Sequence, residues 1–188
     1  MSSIDRRSFL AATAFAAAAS RVQAEPKPLR VGVIAQGKSA DAAIGRVKEL
    51  GFGNCQIYFS GGGAGAAREL RTALDRLGIE GTSLVVTGPG PEVYDFLKGP
   101  ATIGLVPREY RTARIARMKE GSDFAKAAGL PGIQSHCGFI PENPNDPLFA
   151  EVVAAIRDVA GYVKANGQTF RCETARRRPL RCCARSAR

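Results

Sequence analysis

The sequence predicts an α/β fold made of parallel βα units. Two observations carry that prediction. Five short strand-like runs, the first of them apolar and β-branched, alternate with four longer segments of helical periodicity, and this alternation favours parallel strands joined by right-handed crossovers. The 45% hydrophobic content is enough for one domain with a real core.

Residues 29–35 (LRVGVIA), after a Pro-rich linker, read as the first strand. Residues 39–50 follow as a helix, with Ser39 as N-cap, Ala43, Ile44, Val47 and Leu50 on one face and Gly51 as the stop. Residues 54–60 form the second strand. Gly61, Gly62, Gly63 and Gly65 then lead into a helix over 66–77, whose Leu70, Ala73, Leu74 and Leu77 share a face. Residues 81–87 (GTSLVVT) are the third strand. The connection 88–106 is rich in Gly and Pro, and connections longer than about 12–15 residues tend to be functional, so this one is expected to cover a site.

Pro107 opens a long helix to about residue 128, with apolar Tyr110, Ala113, Ile115, Met118 and Phe124 and a weak point at Gly121. Residues 132–137 (GIQSHC) are the fourth strand. A helix over 148–165 buries Phe149, Val152, Val153, Ile156, Val159, Ala160 and Val163. Residues 168–173 are the fifth strand, which ends in Glu173. Two architectures fit this order: an open doubly wound sheet, or part of a (β/α)8 barrel, which needs eight strands and typically about 250 residues.

The formal charge of +10 is concentrated at the ends. Residues 25–174 hold 18 Lys+Arg against 16 Asp+Glu, a net of +2 that argues against nucleic acid as a partner. Residues 1–24 read as an export signal, with Arg6-Arg7-Ser8-Phe9-Leu10 similar to the twin-arginine motif, a short Ala-rich apolar run and a cleavage point after Ala24. The expected location is periplasmic or extracellular, without stable membrane anchoring after cleavage. Residues 175–188, with six Arg and no acid, have no structural period and are expected to be a basic, disordered, out-of-frame or truncated end.

Five cysteines, Cys55, Cys137, Cys172, Cys182 and Cys183, match neither a zinc spacing nor a disulfide framework. The first three fall in or at the ends of strands and read as buried free thiols. Gly61, Gly63 and Ala66 satisfy G-x-G-x-x-A, a weak dinucleotide signal here because it follows the second strand and lacks the acid that would meet a ribose. His136, the one histidine, falls at the carboxyl end of the fourth strand, and Glu173 at that of the fifth. Side chains at those ends face the ligand crevice of a parallel α/β fold, and an imidazole with a carboxylate suits a divalent metal.

The run 99–107 (GPATIGLVP), then 135–144 (SHCGFIPENP), then 167–170 (GQTF) with Glu173-Thr174, resembles the sugar phosphate isomerase/epimerase family with the xylose isomerase-like TIM barrel. The resemblance covers residues 29–174 and implies a partial (β/α)8 barrel of about five strands and four helices. It implies that Glu173 is both a ligand of a divalent metal (Mn, Mg, Co or Zn) and a catalytic acid/base, and that His136 lines the substrate site and contacts the metal. The implied substrate is a small sugar or sugar phosphate, and the chemistry is proton transfer next to a carbonyl. The family's remaining ligands lie on strands six to eight, so little activity is expected of this polypeptide. The alternative from the residues alone is an exported, non-catalytic, flavodoxin-like binding module using the 61–65 loop. A phosphodiester-cleaving relative of endonuclease IV is disfavoured by the single histidine.

Overall fold

The computed structural model describes residues 29–174. The leader 1–24, the tail 175–188, Cys182 and Cys183 lie outside the described residues. The elements run β1 (Val33–Ala35), α1 (Ala40–Glu49), β2 (Asn54–Tyr58), α2 (Ala64–Leu77), β3 (Glu80–Val85), α3 (Gly99–Thr102), α4 (Arg108–Ala127), β4 (Gly132–Gly138), α5 (Pro147–Ala165) and β5 (Thr169–Thr174). All five strands pair in parallel, in the order β1-β2-β3-β4-β5. A doubly wound sheet reverses its strand order at a switch point; this sheet does not, so the open alternative is set aside and the barrel order stands.

Local chemistry explains the helix ends. The Ser39 hydroxyl accepts from the Ala42 amide at 3.2 Å and the Asp146 carboxylate from the Leu148 amide at 2.9 Å, each satisfying an amide the helix cannot. Helix α2 starts without a side-chain cap, at Gly63. One-turn α3 lies inside the long Gly/Pro-rich connection, where no helical period could reveal it.

The core lies between the sheet and the long helices. Cys55, Ile57, Leu84 and Ile133 on the strands meet Ile44, Val47, Leu70, Leu74, Met118, Val159 and Val163 on the helices. The other face is polar, and its side chains reach over intervening strands. Gln56 of β2 donates to Gln134 of β4 at 2.7 Å, and Arg171 of β5 donates to the Thr82 carbonyl of β3 at 3.2 Å. Pairing between alternate strands is the layer arrangement of a barrel interior.

Three expectations need correction. The first strand begins at Val33, not residue 29. Leu50 is 49% exposed, because it is the C-cap where the chain leaves the helical face. Gly121 is a packing position and not a weak point: a Cβ there would stand 2.6 Å from Val86 Cγ2 and 3.5 Å from Phe59 Cδ1. Its missing side chain lets α4 approach the sheet. Gly121→Val should destabilise the fold by about 1–3 kcal/mol through overpacking, despite removing a helical glycine, as read by urea denaturation.

Candidate functional site

The β4–β5 ladder sets the site. Its register makes His136 and Glu173 direct partners, and both belong to the concave, polar face. His136 Nδ1 lies 3.5 Å from Glu173 Oε2, with the imidazole 26% and the carboxylate 53% exposed. Gln134, two residues before His136 on the same face, donates from Nε2 to Glu173 Oε2 at 3.2 Å. Since Gln56 in turn donates to Gln134, an amide chain from β2 holds one carboxylate oxygen in place. The two side chains expected at the site are thus brought together at the carboxyl ends of adjacent strands. Among the described residues no group of three or more His, Cys, Asp or Glu is placed to hold a metal ion.

The long connection after β3 supplies a wall that sequence reasoning left unspecified. The Tyr94 ring stands edge-on to His136, with centroids 5.2 Å apart and planes at 63°. The Tyr94 hydroxyl donates to Glu92 Oε2 at 2.9 Å. Desolvation first, then the Glu92 carboxylate, hold the phenol above its ordinary pKa, with smaller pushes from Tyr58 and Glu173. Tyr94 is therefore a neutral phenol at any working pH. Beside it, the Tyr58 and Thr87 hydroxyls share a 2.6 Å hydrogen bond.

The connection is pinned from beneath by Arg114, which is wholly buried. Its guanidinium donates to the carbonyls of Pro89 at 3.0 Å, Pro91 at 3.0 Å, Thr102 at 2.7 Å and Gly104 at 2.6 Å. Glu92 Oε1 lies 4.0 Å from the guanidinium, and the Tyr110 ring 5.0 Å from its central carbon. Gly90, at φ +84°, passes so close to Tyr110 that a Cβ would come within 2.5 Å of the ring. Both shoulders of the connection are fixed in this way, while its tip projects Phe96 and Leu97, 88% and 91% exposed. Arginine on an amphipathic helix reads as surface, and carbonyl partners leave no mark in a sequence.

Cysteine pairing is a further correction. Cys137 and Cys172 form a disulfide, with Cα atoms 5.7 Å apart, and Cys55 alone of the described cysteines is a free, buried thiol. In the ladder Cys172 faces Ser135, and a register shift between His136 and Gly138 leaves Cys137 as the extra residue. The bridge therefore joins the residue after His136 to the residue before Glu173, and so ties the two strands together next to the site. The sequence reading had no way to see this one-residue irregularity. Gly61 and Gly63 fall in the turn from β2 into α2, with Gly61 and Gly62 at positive φ, and Ala66 lies in the first turn of that helix.

Fold and site together define a partial (β/α)8 barrel of five described strands, with an imidazole–carboxylate pair at the carboxyl ends of β4 and β5. No protein-family model matches the sequence, and no curated protein does so. Solved structures do. A xylose isomerase domain protein from Planctomyces limnophilus is 30% identical, with a TM-score of 0.73, over 82% of this chain and 57% of that one. The 3-keto-D-glucoside 4-epimerase of E. coli matches at 15% identity and TM-score 0.53, over 77% of this chain and 56% of its own. A D-tagatose 3-epimerase-like protein matches at 15% identity and TM-score 0.56, over 80% and 55%. The chain is similar in sequence and fold to a xylose isomerase domain protein and in fold to the two epimerase structures, and it spans little more than half the length of these relatives.

Removing the disulfide tests its structural weight. It closes a loop of 35 residues, for which chain entropy gives roughly 3–4 kcal/mol. Cys172→Ser should lower the urea midpoint accordingly, and treatment of the wild type with a reductant should reproduce the loss.

Proposed function

We propose that the chain carries the β4–β5 part of a sugar isomerase/epimerase site, with Glu173 as acid/base and with Glu173 and His136 as ligands of a divalent cation. The observation that carries this reading is the 3.5 Å juxtaposition of His136 Nδ1 and Glu173 Oε2 on adjacent parallel strands. The donor chemistry fits: one imidazole nitrogen and one carboxylate oxygen suit Mn, Mg, Co or Zn. Bound there, the cation would stabilise the charge that develops when a proton leaves the carbon beside a sugar carbonyl.

The chain's own residues do the rest. Gln134 holds one Glu173 oxygen, so the second can take a proton from the substrate carbon and return it. Return to the neighbouring carbon, with a proton passing between the two substrate oxygens, isomerises; return to the opposite face of the same carbon, which epimerises, needs a second acid/base across the substrate that Glu173 alone does not supply. Half-exposed Glu173 is open to a small sugar or sugar phosphate, and Tyr94 and Gln134 offer polar groups beside it. A two-donor site is weak, so this 188-residue polypeptide is expected to bind the cation loosely and to turn sugars over slowly or not at all.

The lone histidine gives a direct test. In untagged protein, Mn2+ should broaden the Hε1 resonance of the one histidine, and Glu173→Gln should raise the Mn2+ concentration needed about tenfold or more. Unchanged broadening in Glu173→Gln would remove Glu173 from the ligand set. A ketose turnover lost in that variant would overturn the expected inactivity.

We also propose export through the leader. A disulfide of this kind persists in oxidising compartments, which supports that reading. Replacing Arg6 and Arg7 by Lys should leave the precursor in the cytoplasm on cell fractionation; unimpaired export would count against a twin-arginine route.

A further inference from the structure

Nothing so far explains what fixes the ring of His136. Its 3.5 Å approach to Glu173 is an ion-pair distance and long for a hydrogen bond, so the carboxylate alone does not set the tilt of the imidazole. The ring is nonetheless largely covered, and the group packed against it is Tyr94. Aromatic edges and faces prefer this crossed arrangement, which has a definite orientation where an aliphatic neighbour would have none.

Tyr94 itself sits on an irregular connection of the sort that is usually mobile. Here it is tethered three ways. Its hydroxyl donates to Glu92, whose side chain is 11% exposed and lies 4.0 Å from the Arg114 guanidinium. The Val93 amide donates to Thr102 Oγ1 at 3.1 Å. The carbonyls before it, Pro89 and Pro91, and those after it, Thr102 and Gly104, converge on the one buried guanidinium. A cation that gathers four carbonyls from both shoulders of a loop holds those shoulders together and limits where the segment between them can go.

We propose that Tyr94 orients His136 in the site, and that Arg114 is the positioning residue that holds Tyr94 there through the connection it pins. The inference builds on the metal-assisted reading, because a ligating imidazole gains affinity when an outer partner fixes its ring. Tyr94, itself 62% exposed, does so by aromatic contact with one side of the His136 ring.

The experiment uses the full, untagged chain, in which His136 gives the one imidazole signal. Proton spectra without metal are compared for the wild type, Tyr94→Leu and Arg114→Lys. Tyr94→Leu removes the ring current, and Arg114→Lys, with too few donors for four carbonyls, releases Tyr94. Both variants should shift the His136 signal in the same direction, with the circular dichroism of the wild type. An unmoved signal in Tyr94→Leu overturns the orienting role. An unmoved signal in folded Arg114→Lys overturns the positioning role.

If the lysine variant does not fold, Glu92→Ala replaces it, since it cuts Tyr94 from the pinned segment and leaves the guanidinium in place. A shifted signal there supports the proposal and an unmoved one overturns it. In Tyr94→Leu the Mn2+ concentration that broadens the signal should also rise about tenfold. Absence of broadening in the wild type would sink the metal reading alone, because the shift comparison is made without metal and decides the present inference in either case.

Discussion

The molecule depends on one constraint: a parallel sheet whose strands stay in chain order. Right-handed crossovers then lay every long helix on the same face, and that face takes the apolar core. The opposite face is left to Gln56, Gln134, His136 and Glu173, which contact one another in a chain from β2 to β5, and to Arg171, which reaches the Thr82 carbonyl of β3. Because all strands point the same way, their carboxyl ends and the loops that follow share one end of the fold. This is why side chains distant in sequence, such as Tyr94, His136 and Glu173, become neighbours.

Much of this was legible. The helices announce themselves through Ile44, Val47, Leu70, Leu74, Val152 and Val159, whose spacing is that of a buried stripe. His136 and Glu173 could be placed at strand ends because the runs before them are short, apolar and bounded by glycine. That they meet follows from register, which the ends of two adjacent parallel strands nearly determine. What stayed hidden depends on tertiary coincidence. The disulfide needs a bulge at Cys137. Gly121 looks like a flaw in a helix until Val86 and Phe59 are seen beneath it. Arg114 binds main-chain oxygens, which every residue offers, so no residue pattern points to it.

Arg114 also shows how a long irregular segment can be buried at its base. A connection of this length exposes carbonyls that neither a helix nor a strand will satisfy, and each would cost about 1–3 kcal/mol if left dry. A buried cation alone would cost several kcal/mol. Brought together, the two liabilities offset one another: four carbonyls, the Glu92 carboxylate and the Tyr110 ring replace the water that the guanidinium loses. Burial still pulls the Arg114 pKa below its usual value, so the compensation is incomplete.

The separation of Cys55 from the Cys137–Cys172 pair has a kinetic consequence. Thiol exchange proceeds through a thiolate, and burial pushes the Cys55 thiol up to about 11, so at neutral pH it is almost never in the attacking form. It also lies on β2, with β3 between it and β4. The ladder meanwhile holds Cys137 and Cys172 with Cα atoms 5.7 Å apart, within ordinary bridging distance. Among these three sulfurs the folded strands act as a template that admits a single pairing, so oxidation after folding gives one product among the described cysteines.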